Sequence, residues 1–178
     1  MTDEERYSRA LRFAAEKHNG QFRKGGEPYI THPIAVAESL REKGYGIDYQ
    51  LTGLFHDLLE DTDASEAEIK ALGGEKVLEA VKLLTKRKGY IMSEYVSAIK
   101  ANPIAFAVKA ADRLHNLKSA VVADEDFKRR YILESIDWYL DFSPEIPKAV
   151  KALAETLSVP MTELGLNYKL VEPDEHIG

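Results

Sequence analysis

The sequence predicts an all-α protein. Apolar residues recur at three- and four-residue spacing through nearly every extended segment. Glycines, prolines and capping pairs such as Thr2–Glu5 and Ser65–Glu68 stand where such segments start and stop. No alternating apolar–polar run of useful length occurs, apart from Leu166 to Val171. Together these observations predict roughly eight to ten irregularly packed helices. At 178 residues the chain fits one domain with enough apolar content for a real core. That domain is expected over residues 1–159. A tail over 160–178 is punctuated by Pro and Gly and acidic at its end.

The first helix follows the Thr2 capping box, carries Tyr7, Leu11, Ala14, Ala15 and His18 at helical period, and stops at Asn19-Gly20. Gln21 to Ile30 contains Gly25-Gly26 and Pro28 and reads as a loop. Thr31 is placed to cap a helix from Pro33 to about Lys43, ended by Gly44. Asp48 is placed to cap the next, whose Leu51, Leu54, Phe55, Leu58 and Leu59 form a broad buried stripe. Ser65 opens a short helix that Gly73-Gly74 closes, and another runs through Val77, Val81 and Leu84. Ser93 to Lys100 is short and helical. Asn102-Pro103 starts the helix that carries Val108, Ala111, Asp112 and Leu117. Two more are expected, from about Phe127 to Phe142 and from Ser143-Pro144 to near Ser158.

Composition narrows the function classes. The chain has no cysteine, so disulfides and thiolate metal sites are excluded. The net charge of −6 argues against a broad nucleic-acid surface. It leaves room for a small anionic substrate, because a metal and a few local cations reverse the field inside one cleft. Met-Thr-Asp-Glu-Glu lacks the basic and apolar regions of a secretory signal, and no apolar run approaches a membrane span. A cytoplasmic protein with no membrane partner is the expectation; the oligomeric state is left open.

The strongest functional signal is His56-Asp57, which interrupts the apolar stripe, followed by Glu60-Asp61. In a helix running on from Asp48, His56 lies one turn from Glu60 and Asp57 one turn from Asp61. Carboxylates crowded at a helix C-terminus are mildly unfavourable, by ~0.3–1 kcal/mol, unless a cation sits among them. If the helices bearing His32 and Asp112 converge on this segment, His32, His56, Asp57 and Asp112 supply two nitrogens and two carboxylate oxygens. That set suits Mn, Fe, Co or Zn and leaves positions open for water and a phosphate oxygen. Taken singly, the same residues have ordinary readings: a His that caps a helix, a His-Asp pair arising by chance, a solvated acidic helix end.

Three stretches carry a family resemblance: Gly20-Gln-Phe-Arg-Lys-Gly-Gly-Glu-Pro-Tyr-Ile-Thr-His-Pro33, Phe55-His-Asp-Leu-Leu-Glu-Asp-Thr62 and Val108-Lys-Ala-Ala-Asp-Arg-Leu-His-Asn-Leu-Lys-Ser119. In order and spacing they resemble the HD-domain phosphohydrolases, and more narrowly the hydrolase domain of the RelA/SpoT family in its stand-alone form, the small alarmone hydrolases. The resemblance extends to about Leu157, and nothing beyond it looks like a synthetase or regulatory domain. It implies a metal-dependent enzyme that removes the 3′-pyrophosphate of guanosine 3′,5′-bis(diphosphate) or its pentaphosphate relative, using one divalent ion, manganese. By matching position it implies His32, His56, Asp57 and Asp112 as metal ligands and Glu60 and Asp61 as the pair that activates or positions water. It likewise implies Arg23, Lys24, Asn116 and Ser119 as nucleotide contacts. Arg113 is read as orienting a carboxylate or as structural, His115 as packing or capping, and Trp138 and Tyr139 as core.

Gly25 stands where relatives often have Ser, and the segment from Arg87 to Ala101 departs from the long family members. These departures bear on substrate identity more than on chemistry. The alternatives are a related phosphohydrolase acting on an adenosine alarmone, a deoxynucleotide monophosphate or NADPH, and a non-catalytic module that binds an alarmone.

Overall fold

A computed structural model describes residues 1–164. Leu166 to Val171, read as a possible strand, and the expected tail from residue 165 onward lie outside the described residues. The architecture is all-α, and its backbone contacts group into two compact units, Met1–Asp112 and Arg113–Gly178.

In the first unit, α1 (Asp3–Lys17) begins in the expected capping box, with Thr2 and Glu5 bonded reciprocally. The unit continues with α2 (Thr31–Glu42), α3 (Ile47–Phe55), α4 (Leu58–Asp61), α5 (Glu66–Gly73), α6 (Glu75–Leu84), α7 (Met92–Lys100) and the start of α8 (Pro103–Ser119). The Ser65–Glu68 box opens α5, and the Asn102 side chain accepts from the Ala105 amide at the start of α8.

Two expected caps are not caps. Thr31 is the first residue of α2, behind an N-cap at Ile30, and its hydroxyl donates to the Pro28 carbonyl. Asp48 lies inside the first turn of α3, behind an N-cap at Gly46.

Helix α3 is central. Leu51, Thr52, Gly53, Leu54 and Phe55 are all buried. Around them pack Ala10 and Ala14 of α1, Ala37 of α2, Ile69 of α5 and Val77 and Val81 of α6. Burying a side chain the size of Phe55 stabilises by about 1.5–3 kcal/mol. Gly53 sets the spacing of α2 and α3, since a Cβ there would stand 3.2 Å from the Ala37 Cα. The two helices run antiparallel through the turn at Lys43–Gly46. The first residues of α2 therefore lie beside the last residues of α3, which brings His32 to His56 with ring centroids 5.2 Å apart.

The helix expected to continue from Asp48 through Glu60 is broken. His56 and Asp57 form a two-residue turn between α3 and α4, with Asp57 at φ −101°, ψ −2°. Adjacent residues of an unbroken helix point about 100° apart. Across this turn the two side chains meet, with His56 Nε2 3.0 Å from Asp57 Oδ2.

In the second unit, α8 runs on through Leu117 to Ser119, followed by a 3-10 turn at Ala120–Val122, α9 (Glu125–Trp138), α10 (Glu145–Glu155) and a 3-10 turn at Met161–Leu164. Helix α9 starts earlier than expected because Asp124 caps it, accepting from the Phe127 amide, and it ends at Trp138 rather than Phe142. Ile132, Tyr139, Ile146, Val150 and Leu153 are buried along α9 and α10.

Candidate metal centre and active site

His32 and His56 are buried at 1% and 4% exposure, and Asp112 at 6%. Donor atoms of His32, His56 and Asp57 lie within 4.8 Å of one another. His56 Nε2 stands 3.0 Å from Asp57 Oδ2, and His32 Nε2 stands 3.9 Å from the same oxygen. Asp112 Oδ1 closes the group, 2.7 Å from His32 Nε2 and 3.3 Å from His56 Nε2. The four residues expected as ligands thus come from α2, the α3–α4 break and α8, and all belong to the first unit.

The tautomer of His56 is set by its backbone. Its Nδ1–H donates to the Gly53 carbonyl at 2.7 Å, which leaves Nε2 facing the carboxylates. A metal-ligating imidazole is commonly held this way through its other nitrogen.

Electrostatics points to a cation. Burial disfavours charge on His56, yet Asp57 and Asp112 outweigh it and raise the imidazole well above its ordinary value. Burial pushes the Asp57 carboxyl up, but the His56 charge and hydrogen bond hold it down at about 2. Asp112 is likewise lowered, against burial, by Lys109 and then by the two imidazoles. Burial lowers His32. In the metal-free protein a proton on His56 therefore supplies positive charge that a metal ion would otherwise supply. Two imidazole nitrogens and two carboxylate oxygens fit a borderline divalent ion.

Glu60 and Asp61 line an adjoining cleft of about 600 Å³ with Leu59, Glu66, Thr85, Lys86, Arg87 and Lys88. The Glu60 carboxylate accepts the Lys86 backbone amide, so the α6–α7 loop holds it. Asp61 remains one turn from Asp57, its amide bonded to the Asp57 carbonyl at 3.0 Å. Burial, then Asp57, then Glu60 push the Asp61 carboxyl up to about 6.

Arg23 and Lys24 sit at the tip of a hairpin closed by backbone bonds from Tyr29 to Gln21 and from Arg23 to Glu27, both 2.8 Å. Gly26 turns the tip at φ +95°, a conformation a side chain would strain. Arg23 is half-buried and Lys24 exposed. Asn116 and Ser119 lie beyond Asp112 on α8, in the second unit, where the Ser119 hydroxyl donates to the His115 carbonyl.

Arg113, beside Asp112 in sequence, bonds Glu134 at 2.5 Å and lies over the Tyr131 and Tyr139 rings, 4.1 and 4.2 Å from their centroids. It is structural and orients a carboxylate.

Three residues at the centre carried no functional assignment in the sequence. Tyr29 donates its hydroxyl to Asp57 Oδ2 at 2.5 Å. Gln21 donates to the Asp61 carbonyl at 2.8 Å. Lys109 Nζ lies 3.2 Å from Asp112 Oδ2. Position could have found Lys109, which precedes Asp112 by one turn of α8; Tyr29 and Gln21 lie in the hairpin ahead of α2, where no helical spacing marks them.

Among curated proteins, a guanosine-3′,5′-bis(diphosphate) 3′-pyrophosphohydrolase of Aquifex aeolicus is 36% identical over 76% of this chain and 20% of its own length. A probable enzyme of the same name from Synechocystis is 34% identical over 94% of this chain and 22% of its own length. The chain thus spans about a fifth of the length of these relatives. Among solved structures, one described as a metazoan ortholog of SpoT that hydrolyses ppGpp shares the fold. It matches with a TM-score of 0.61 and 23% identity, covering 91% of this chain and 97% of that one. The family model described as HD domain matches residues 10–143, a span that runs through both imidazoles and both aspartates of the cluster. That match decides the classification: the chain belongs to the HD domain family, whose members take a divalent metal ion.

Proposed function

We propose that this chain hydrolyses guanosine 3′,5′-bis(diphosphate) and its pentaphosphate relative, releasing pyrophosphate from the 3′ position and leaving GDP or GTP. The observation that carries the reading is the convergence of His32, His56, Asp57 and Asp112 on one point, with Glu60 and Asp61 at the edge of the adjoining cleft. The likeness to relatives named for this reaction supports the choice of substrate.

The four ligands would hold one divalent ion, and we assign it as manganese. When bound, that ion supplies Lewis acidity at the phosphate and lowers the pKa of a water. Asp61, one turn from the Asp57 ligand, takes a proton from the attacking water. Glu60, fixed by the Lys86 amide, orients that water. The water oxygen bonds to the phosphorus that carries the ribose O3′. The P–O3′ bond breaks, and the ribose oxygen leaves as a hydroxyl once it takes up a proton, which balances the one Asp61 accepted from the water. Arg23 and Lys24 bind the nucleotide from the hairpin tip, and Asn116 and Ser119 contact it from α8. Lys86, Arg87 and Lys88 give the cleft a basic wall suited to a polyphosphate. No described helix is long and apolar enough to cross a membrane.

A Mn-supplemented screen over guanosine and adenosine alarmones, NADPH and deoxynucleotide monophosphates, with pyrophosphate and phosphate measured separately, tests the proposal. Pyrophosphate from the guanosine alarmones is expected. Inorganic phosphate alone, released from monophosphates or NADPH, would replace this substrate assignment. Tight nucleotide binding without turnover would make the chain a binding module instead.

A further inference from the structure

We propose that the Gln21–Tyr29 hairpin braces the metal centre, with Tyr29 as the positioning residue for Asp57 and Gln21 as the positioning residue for Asp61. The inference rests on the metal-centre reading above. Asp57 is the N-cap of the single turn α4 and Asp61 its last residue, joined by the Asp61 amide bond to the Asp57 carbonyl. The hairpin grips that turn at both ends, one leg to each. Tyr29 Oη donates to Asp57 Oδ2 at 2.5 Å, and Gln21 Nε2 donates to the Asp61 carbonyl at 2.8 Å.

Both legs are themselves fixed. The Tyr29 amide bonds the Gln21 carbonyl at 2.8 Å, which locks the legs together. Gln21 Oε1 accepts from His18 Nδ1 at 2.8 Å. The Tyr29 ring lies 4.9 Å from the His18 ring and 6.0 Å from the His32 ring, centroid to centroid.

Asp57 Oδ2 is also the oxygen that faces both imidazoles. A carboxylate oxygen has two lone pairs. Tyr29 occupies one and leaves the other aimed at the ligand cluster. The phenol carries the hydrogen and the carboxylate can only accept, so Tyr29 is the donor. Hydrogen bonds of this kind behind a ligand orient it, and their removal costs about 10–100-fold in metal affinity. Because Arg23 and Lys24 ride on the same hairpin, the nucleotide-facing tip and the geometry of the Asp57–Asp61 turn are one mechanical piece.

Mn2+ titration of the full chain, followed by the spin-resonance signal of the free ion, tests this. Tyr29→Phe keeps the ring and removes only the hydroxyl. It is expected to weaken Mn2+ binding about 10–100-fold, with helical circular dichroism and metal-free melting unchanged. Gln21→Ala leaves the ligand oxygens alone, so it is expected to keep Mn2+ affinity, lower kcat and spare KM. Phe22→Ala alters the same hairpin at a side chain that is 66% exposed and can donate nothing to Asp57, and it is expected to bind Mn2+ like the parent. Wild-type affinity in Tyr29→Phe, or an equal loss in Phe22→Ala, overturns the bracing role while the metal centre stands. Failure of the parent protein to bind Mn2+ overturns both.

Discussion

Asp112 and Arg113 are neighbours on α8, both buried and both charged, yet their surroundings differ in kind. Arg113 is matched within its own unit: Glu134 neutralises it, Ser135 bonds it, and two tyrosine faces cover its guanidinium. Asp112 belongs to a group with the opposite balance. Two carboxylates and two imidazoles point at one place, and Lys109 brings a fixed positive charge to Asp112. A buried charge with its countercharge built in holds structure. Buried ligand atoms that must recruit a proton or a metal ion to reach balance make a site. Burial by itself distinguishes nothing.

The comparison breaks most visibly through the ligands. Asp57→Ala or His56→Ala should abolish metal retention and hydrolysis together, a loss of roughly 10³-fold or more in rate, beyond that for one charge-stabilising donor. Elemental analysis beside a pyrophosphate-release assay reads both quantities. Glu60→Gln should separate them: metal content and nucleotide affinity remain, and kcat falls about 10²-fold, as for a misplaced reactant. Full rate in that variant would remove Glu60 from the water-positioning pair.

On the closed side, Arg113→Ala should leave metal affinity intact and cost about 3 kcal/mol of stability in denaturant unfolding. That is the low end for a broken buried pair, because Glu134 is 40% exposed and can return to water. Chelation should act oppositely on the two regions. Adding metal at about 100 times its dissociation constant stabilises by about 2.7 kcal/mol, so its removal should lower the melting temperature by about 5–11 °C. Asp57→Ala should show no such response, whereas Arg113→Ala should show all of it. The smallest effect belongs to Arg23→Ala, expected to raise KM about tenfold with kcat nearly unchanged, as for one lost charge-assisted contact.

Much of the fold was legible along the chain because local signals set it. The Thr2–Glu5 and Ser65–Glu68 boxes, the Asn102-Pro103 start and the stripe through Leu51, Leu54 and Phe55 all appear as structure. Thr31 and Asp48 were misleading because an N-cap must stand ahead of the first turn to accept from its amides, and both residues lie inside that turn. The break at His56-Asp57 was not legible. Helical period continues through Leu58 and Leu59, and what the break provides is geometry shared with His32 and Asp112, residues distant in sequence. The helix-bonded hydroxyl of Ser119 and the paired carboxylate of Glu134 were equally invisible, since each depends on what lies one turn or one helix away.

The sequence by itself determined the all-α class, the order of the helices and the residue types able to hold a divalent ion, because spacing and side-chain chemistry are local properties. Tertiary structure decided that α2 and α3 run antiparallel at glycine distance, that α3 gives way at His56-Asp57, and that a hairpin leg places Tyr29 against Asp57. Those outcomes depend on which distant surfaces meet, and contacts across dozens of residues leave no period in the chain.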